Sequence, residues 1–136
     1  LLRLSILNYT KLCLVPVGYI AEKNENIGII EIYNEFEEAL QGLERYEHII
    51  ILSWLHKNDT PEKRSILKVH PRGDPRNPLA GVFATRSPAR PNPIALNVVK
   101  LLGIDGTMLK VEGIGDLFIG TPVVDIKPYV PRLDRR

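Results

Sequence analysis

The side chains of this chain that could do chemistry are concentrated in three short stretches. The first is Gly81-Val82-Phe83-Ala84-Thr85-Arg86-Ser87-Pro88-Ala89-Arg90-Pro91-Asn92-Pro93. Pro88, Pro91 and Pro93 fix φ and remove backbone donors, so the stretch cannot pair as a central strand. Rigid irregular backbone carrying Arg86, Arg90 and Asn92 suits recognition, because less ordering entropy is lost when a ligand arrives. Arginine forks match carboxylate and phosphate geometry. The same residues also read as a proline-rich surface loop with arginines at strand ends. The second stretch runs from Thr121 to Tyr129 and places Asp125 and Lys127 two apart, on one strand face. They can pair with each other, or one can meet Arg86 or Arg90. The third holds Gly113, Ile114, Gly115 and Asp116. It lacks the third glycine and the βαβ context of a dinucleotide fingerprint. What remains is backbone that a ligand can approach closely, with Asp116 able to accept from hydroxyls or an amine.

Other familiar chemistries find no support. His48, His56 and His70 do not have metal-ligand spacing with any partner, and the single cysteine, Cys13, leaves neither an intrachain disulfide nor a cysteine metal cluster. Cys13 lies in an apolar run and reads as a buried, inert thiol. His48 reads as a core histidine, whereas His56, at the end of an apolar run, is better placed for function. No nucleophile elbow, phosphate-binding P-loop or pair of catalytic carboxylates is present.

The elements that must position these residues are mostly strands. The chain has 136 residues, 44% of them hydrophobic and 25% charged, which fits one globular domain. Residues 13–20, 27–33, 46–55, 65–69, 81–85, 94–102, 108–112 and 122–127 read as strands, and Asp105-Gly106 marks a hairpin. One amphipathic helix is expected from Asn34 as N-cap, with Glu37 as capping partner, ending near Gly42. Residues 70–78 are a loop, and residues 60–64 a turn or helical stub. Strands dominate and do not alternate with helices, which argues for a largely antiparallel barrel. Residues 1–12 form an N-terminal extension, 13–132 the domain and 133–136 a tail.

No apolar stretch approaches the length needed to span a bilayer. The N-terminus lacks a small-residue cleavage site, so a cytoplasmic location is expected. Charge is unevenly spread. Between Glu22 and Glu47 eight acids face Lys23 and Arg45, whereas between Lys63 and Lys100 eight Lys or Arg face the single acid Asp74. This asymmetry suggests a phosphate-bearing partner for the second half, against the plainer reading of a solvated face.

Together the strings from Gly81 to Ile94 and from Gly120 to Tyr129 resemble the TsaA-like, TrmO-type family nearly residue for residue. The pattern from Gly42 to Tyr46, with His48, Trp54 and His56, also resembles it. The resemblance covers roughly residues 17–131. It implies a β-barrel that dimerises, holds S-adenosylmethionine near the subunit interface and methylates N6 of threonylcarbamoyladenosine beside the tRNA anticodon. By matching positions it implies cofactor contacts from His56, Lys57, Arg86, Leu96 and the backbone of Gly113, Ile114, Gly115 and Asp116. Asp125 and Tyr129 are then candidates for handling the acceptor's proton. Arg72, Arg76, Arg90, Asn92 and Lys127 are candidates for tRNA, their charges holding phosphates. Three departures stand out. The loop at residues 21–26 is shorter than in many family members, Ala95 replaces a glycine, and Phe118-Ile119 replaces an acidic approach to Gly120. The shortened loop keeps open a non-catalytic barrel that binds RNA or a nucleotide. A methyltransferase for another acceptor is the other alternative.

Overall fold

The computed structural model describes residues 11–135, so most of the N-terminal extension lies outside the described residues. Among the described residues there are eight strands: β1 (Gly18–Asn24), β2 (Ile27–Ile32), β3 (His48–Trp54), β4 (Lys68–Val69), β5 (Ala80–Gly81), β6 (Ile94–Asp105), β7 (Met108–Glu112) and β8 (Pro122–Pro128). Six of them close into an antiparallel barrel in the order β1-β2-β7-β6-β3-β8, and β4 pairs with β5 in a small separate arm. Alternation explains the closure. Ile20, Ile30, Ile32, Ile49, Ile51, Val99, Leu109, Val111 and Val123 point inward and are nearly or fully buried. Each such side chain contributes roughly 1.5–3 kcal/mol on burial. Register slips at Ile20/Glu22, Leu52/Ser53 and Leu101/Gly103 are β-bulges that add the local bend a small barrel needs.

Several expectations are corrected. Residues 34–40 wind as a 3-10 helix, not an α-helix, and extended Tyr33 is the cap, with no side-chain cap bond. Glu35 and Glu37 have no basic partner in its last turn, and Phe36 and Leu40 pack on the core only partly buried. The segment therefore has little besides its own few backbone bonds to hold an α turn. The strand expected at 81–85 ends at Gly81, and Val82–Ala84 form a 3-10 turn. Cys13 is exposed, because β1 begins only at Gly18. His48 is also exposed, sitting on the outward face of β3 with its ring edge-on to Tyr129. The residue 60–64 stub is a short helix (Pro61–Arg64), capped by the Thr60 hydroxyl, which accepts from the Lys63 N–H.

Candidate functional site

A cleft of about 530 Å³ opens where β3 ends and β6 begins, well within the range of small-molecule sites. Three segments after β3, before β6 and before β8 meet there. Leu55 and Asn58 follow β3; Arg86, Ser87 and Arg90 come from the proline-locked loop; Ile94 to Asn97 open β6; Asp116, Leu117 and Phe118 form the turn leading to β8. Two of the three stretches singled out in the sequence, around Arg86 and around Asp116, therefore meet in one cleft.

The Arg86 loop is built rather than merely stiff. The Thr85 hydroxyl accepts from the Ser87 N–H, the Ser87 hydroxyl accepts from the Ala89 N–H, and Arg90 Nη1 donates to the carbonyls of Thr85 (3.1 Å) and Ser87 (3.0 Å). Such side chain-to-backbone bonds replace the ladder that prolines forbid. Arg64, which sequence reasoning missed, fastens the loop from outside. Its Nε donates to Pro91 O (2.7 Å), Nη2 to Asn92 Oδ1 (3.1 Å) and Nη1 to Asp59 Oδ1 (3.0 Å). Asp59 also accepts from the Trp54 indole N–H. These bonds from Trp54 and Arg64 hold the Asp59 carboxyl below the usual carboxylate range. Asn92 and Arg90 thus serve the loop's own structure, while the Arg86 guanidinium has no salt-bridge partner among the described residues.

The turn opposite depends on glycine. Gly113 (φ 114°) and Gly115 (φ 56°) occupy backbone that side chains rarely adopt. Between them Ile114 is fully buried in the core and pins the turn to the barrel. The short β1–β2 hairpin supports it: Asn26 O accepts from the Gly113 N–H (2.8 Å) and Asn26 Oδ1 from the Gly115 N–H (3.1 Å). Residues 21–24, expected as part of a loop, instead extend β1, and the turn left at Glu25-Asn26 thus has a job of its own. Lys23 Nζ adds a bond to Leu117 O. Asp116 is exposed and lines the cleft.

Other expected residues are distributed less simply. Leu96 lines the cleft, and His56 and Lys57 occupy the turn just after β3. Lys57 Nζ rests 3.9 Å from the ring centroid of Phe118. Asp125 and Lys127 form a salt bridge (3.0 Å) on the outer barrel wall and do not line the cleft. Asp125 pairs with Leu52, which pairs with Leu96, so the carboxylate lies two strand spacings, about 10 Å, from the cleft's edge. Tyr129 stacks edge-on to His48, at the opposite end of β3 from the cleft. The structure does not bring Tyr129 to Arg86 in one subunit. In the β4–β5 arm, Arg76 is held by Asp74 (2.8 Å), which lowers the Asp74 pKa and raises that of Arg76. Arg72 is exposed, with φ 62°.

Asn58 and Asn97 are cleft residues that sequence reasoning passed over, and Phe118, noted there only as a departure from the family pattern, also lines the cleft. Asn97 carried a signal, being a polar residue in the otherwise apolar inward series of Ala95, Val99 and Leu101. Asn58 and Arg64 carried none, because their partners are distant in the chain or set by loop conformation.

A family model described as the tRNA-methyltransferase O N-terminal domain matches residues 15–135. A probable S-adenosyl-L-methionine-binding protein of Methanocaldococcus jannaschii is 51% identical over 121 residues, covering 89% of this chain and 94% of that protein. The human tRNA (adenine(37)-N6)-methyltransferase is 44% identical over 105 residues, covering 76% of this chain but 22% of the human protein. The crystal structure of TrmO from Pseudomonas aeruginosa superposes with a TM-score of 0.70 at 34% identity, over 93% of this chain and 60% of that one.

Proposed function

The chain belongs to the tRNA-methyltransferase O N-terminal domain family, and from that premise we propose that it is an S-adenosylmethionine-dependent tRNA methyltransferase. The observation that carries this reading is the single cleft shared by Arg86 and Asp116. Its residues fit the cofactor. A guanidinium matches the methionyl carboxylate, an exposed carboxylate accepts from ribose hydroxyls, and Leu55, Ile94, Leu96 and Phe118 supply apolar surface. Probable S-adenosyl-L-methionine-binding relatives at 51% and 52% identity support the same cofactor.

When bound, the cofactor supplies a methyl group on an already activated sulfonium. The protein's own task is then to hold donor and acceptor in line, which can supply several kcal/mol. The loop fastened by Arg64 does this without ordering at the moment of reaction. The acceptor we propose is N6 of threonylcarbamoyladenosine next to the anticodon, in line with the adenine-37 specificity in the human relative's name. A base in a loop is splayed out cheaply. Arg72 on the β4–β5 arm, which has no acidic partner among the described residues, supplies a phosphate contact, with Lys127 and Arg76 joining when they leave Asp125 and Asp74. The site of action is the cytoplasm.

The reading extends to a homodimer. Ile94, Leu96 and Val98 on the outer face of β6 are 42–45% exposed, and they pair with the half-buried Trp54, Leu52 and Ile50 of β3. This apolar row is continuous with the cleft, since Ile94 and Leu96 belong to both. A second copy covering it closes the cofactor site as well. Asp125 flanks the row, and in such a dimer it reaches the acceptor's N6 and takes its proton. The test is mass spectrometry of nucleosides from tRNA incubated with the chain and the cofactor, with and without prior threonylcarbamoylation. Methylated threonylcarbamoyladenosine is expected. Methylation of another nucleoside moves the acceptor, and binding without transfer supports the non-catalytic barrel that the short hairpin left open.

A further inference from the structure

Phe118 is an aromatic residue where burial would be expected to matter, yet it is 52% exposed and lines the cleft. The turn that carries it is fixed. The Phe118 N–H donates to the Thr121 hydroxyl (3.2 Å), and its carbonyl accepts from the Thr121 N–H (3.0 Å). Thr121 is itself 1% exposed. Lys57 rests on the ring at 3.9 Å and is not a residue of the cleft wall, which leaves the ring's other face for a ligand. An ammonium on one face draws electron density from the ring and limits its rotation. An exposed, immobilised aromatic face beside hydrogen-bonding side chains is the arrangement used to stack a nucleobase. Asn58 and Asn97 line the same cleft and can pair with a base edge.

We propose that Phe118, steadied by Lys57, is a stacking platform for an adenine in the cleft. The inference rests on the methyltransferase reading, in which adenine occurs twice, in the cofactor and in the acceptor nucleoside. Two probes separate these sources: S-adenosylmethionine alone, and an anticodon stem-loop RNA added in the presence of S-adenosylhomocysteine. Binding of each to the full chain is measured by calorimetry for the wild type, Phe118→Leu and Phe118→Trp. Leucine keeps apolar bulk and removes the ring, so affinity for the stacked ligand falls about 5- to 150-fold, while Phe118→Trp restores it. Because Trp54 is the sole native tryptophan, Phe118→Trp also adds an indole whose fluorescence is quenched by the stacked base, a signal that survives if Phe118→Leu folds poorly. Weakened S-adenosylmethionine binding assigns the platform to the cofactor's adenine. Weakened RNA binding alone assigns it to the acceptor. If the wild type binds both probes and Phe118→Leu binds both equally well, or Phe118→Trp shows no quenching, the platform does not exist. If the wild type binds neither probe, the methyltransferase reading fails and the platform falls with it.

Discussion

Arg64 fastens the recognition loop directly, and Asp59 helps to hold the guanidinium in place. The guanidinium spans Pro91, Asn92 and Asp59, while Asp59 also accepts from the Trp54 indole. The lowered Asp59 pKa means the folded state favours the ionised carboxylate more than the unfolded chain does. Its contribution is therefore present above the ordinary aspartate pKa of about 3.9 and lost as pH falls through the lower folded value. Trp54 fluorescence is expected to titrate below that ordinary value in the wild type and to show no such step in Asp59→Asn. A step centred at or above it would contradict the clamp. None of this was legible in the sequence. Arg64 and Asn92 are 28 residues apart, and nothing in their local spacing announces a bond. Arg86 was legible because its prolines declare a rigid loop, whereas the duties of Arg90 and Asn92 within that loop depend on how its backbone turns.

Two elements matter beyond the cleft's own lining. The β1–β2 hairpin supports the glycine turn, and Gly28 is where they touch: a Cβ there would collide with Ile114 Cδ1 and lie 3.3 Å from its Cγ1. Because Ile114 is fully buried, it cannot swing into solvent. Gly28→Ala is expected to cost about 1–3 kcal/mol by overpacking and to weaken cofactor binding by shifting Asp116. Denaturant unfolding combined with calorimetry checks both, and an unchanged midpoint would show that Ile114 repacks freely. The β4–β5 arm, in turn, carries the exposed Arg72. For Arg72→Ala the slope of log affinity for tRNA against log salt is expected to fall by about 0.7, and an unchanged slope would exclude a phosphate contact there. At this scale the strands were readable from their alternation, since an inward row of Ile, Val and Leu permits little else. The 3-10 winding of Asn34–Leu40 was not. Helical periodicity marks an apolar face, but the cap and the tightness of winding depend on how the segment joins β2 to β3.

Among the described residues, the barrel wall leaves an apolar row uncovered along Ile94, Leu96 and Val98. If a second copy covers it, Val98→Glu places a charge in a dry interface and yields a monomer by sedimentation while the fold, read by circular dichroism, is retained. A wild type that is monomeric at high concentration would contradict the dimer and remove Asp125 from the reaction. The closed antiparallel architecture followed from the sequence, because strands without intervening helices have few other ways to bury one face each. The continuous outer row did not follow, because the outward residues of β3 and β6 read singly as ordinary strand positions. Their continuity with the cleft exists only once β3 and β6 are paired.

The proposed cofactor site of Arg86 and Asp116 is tested most directly by calorimetric titration with S-adenosylmethionine. The wild type is expected to bind with one site per chain. Arg86→Ala should lose binding at least about tenfold, as removal of a charged hydrogen-bond partner implies, with unchanged circular dichroism. Arg132→Ala, on the C-terminal helical turn away from the cleft, should bind as the wild type does. Equal affinity for Arg86→Ala and the wild type would contradict the assignment of the cleft.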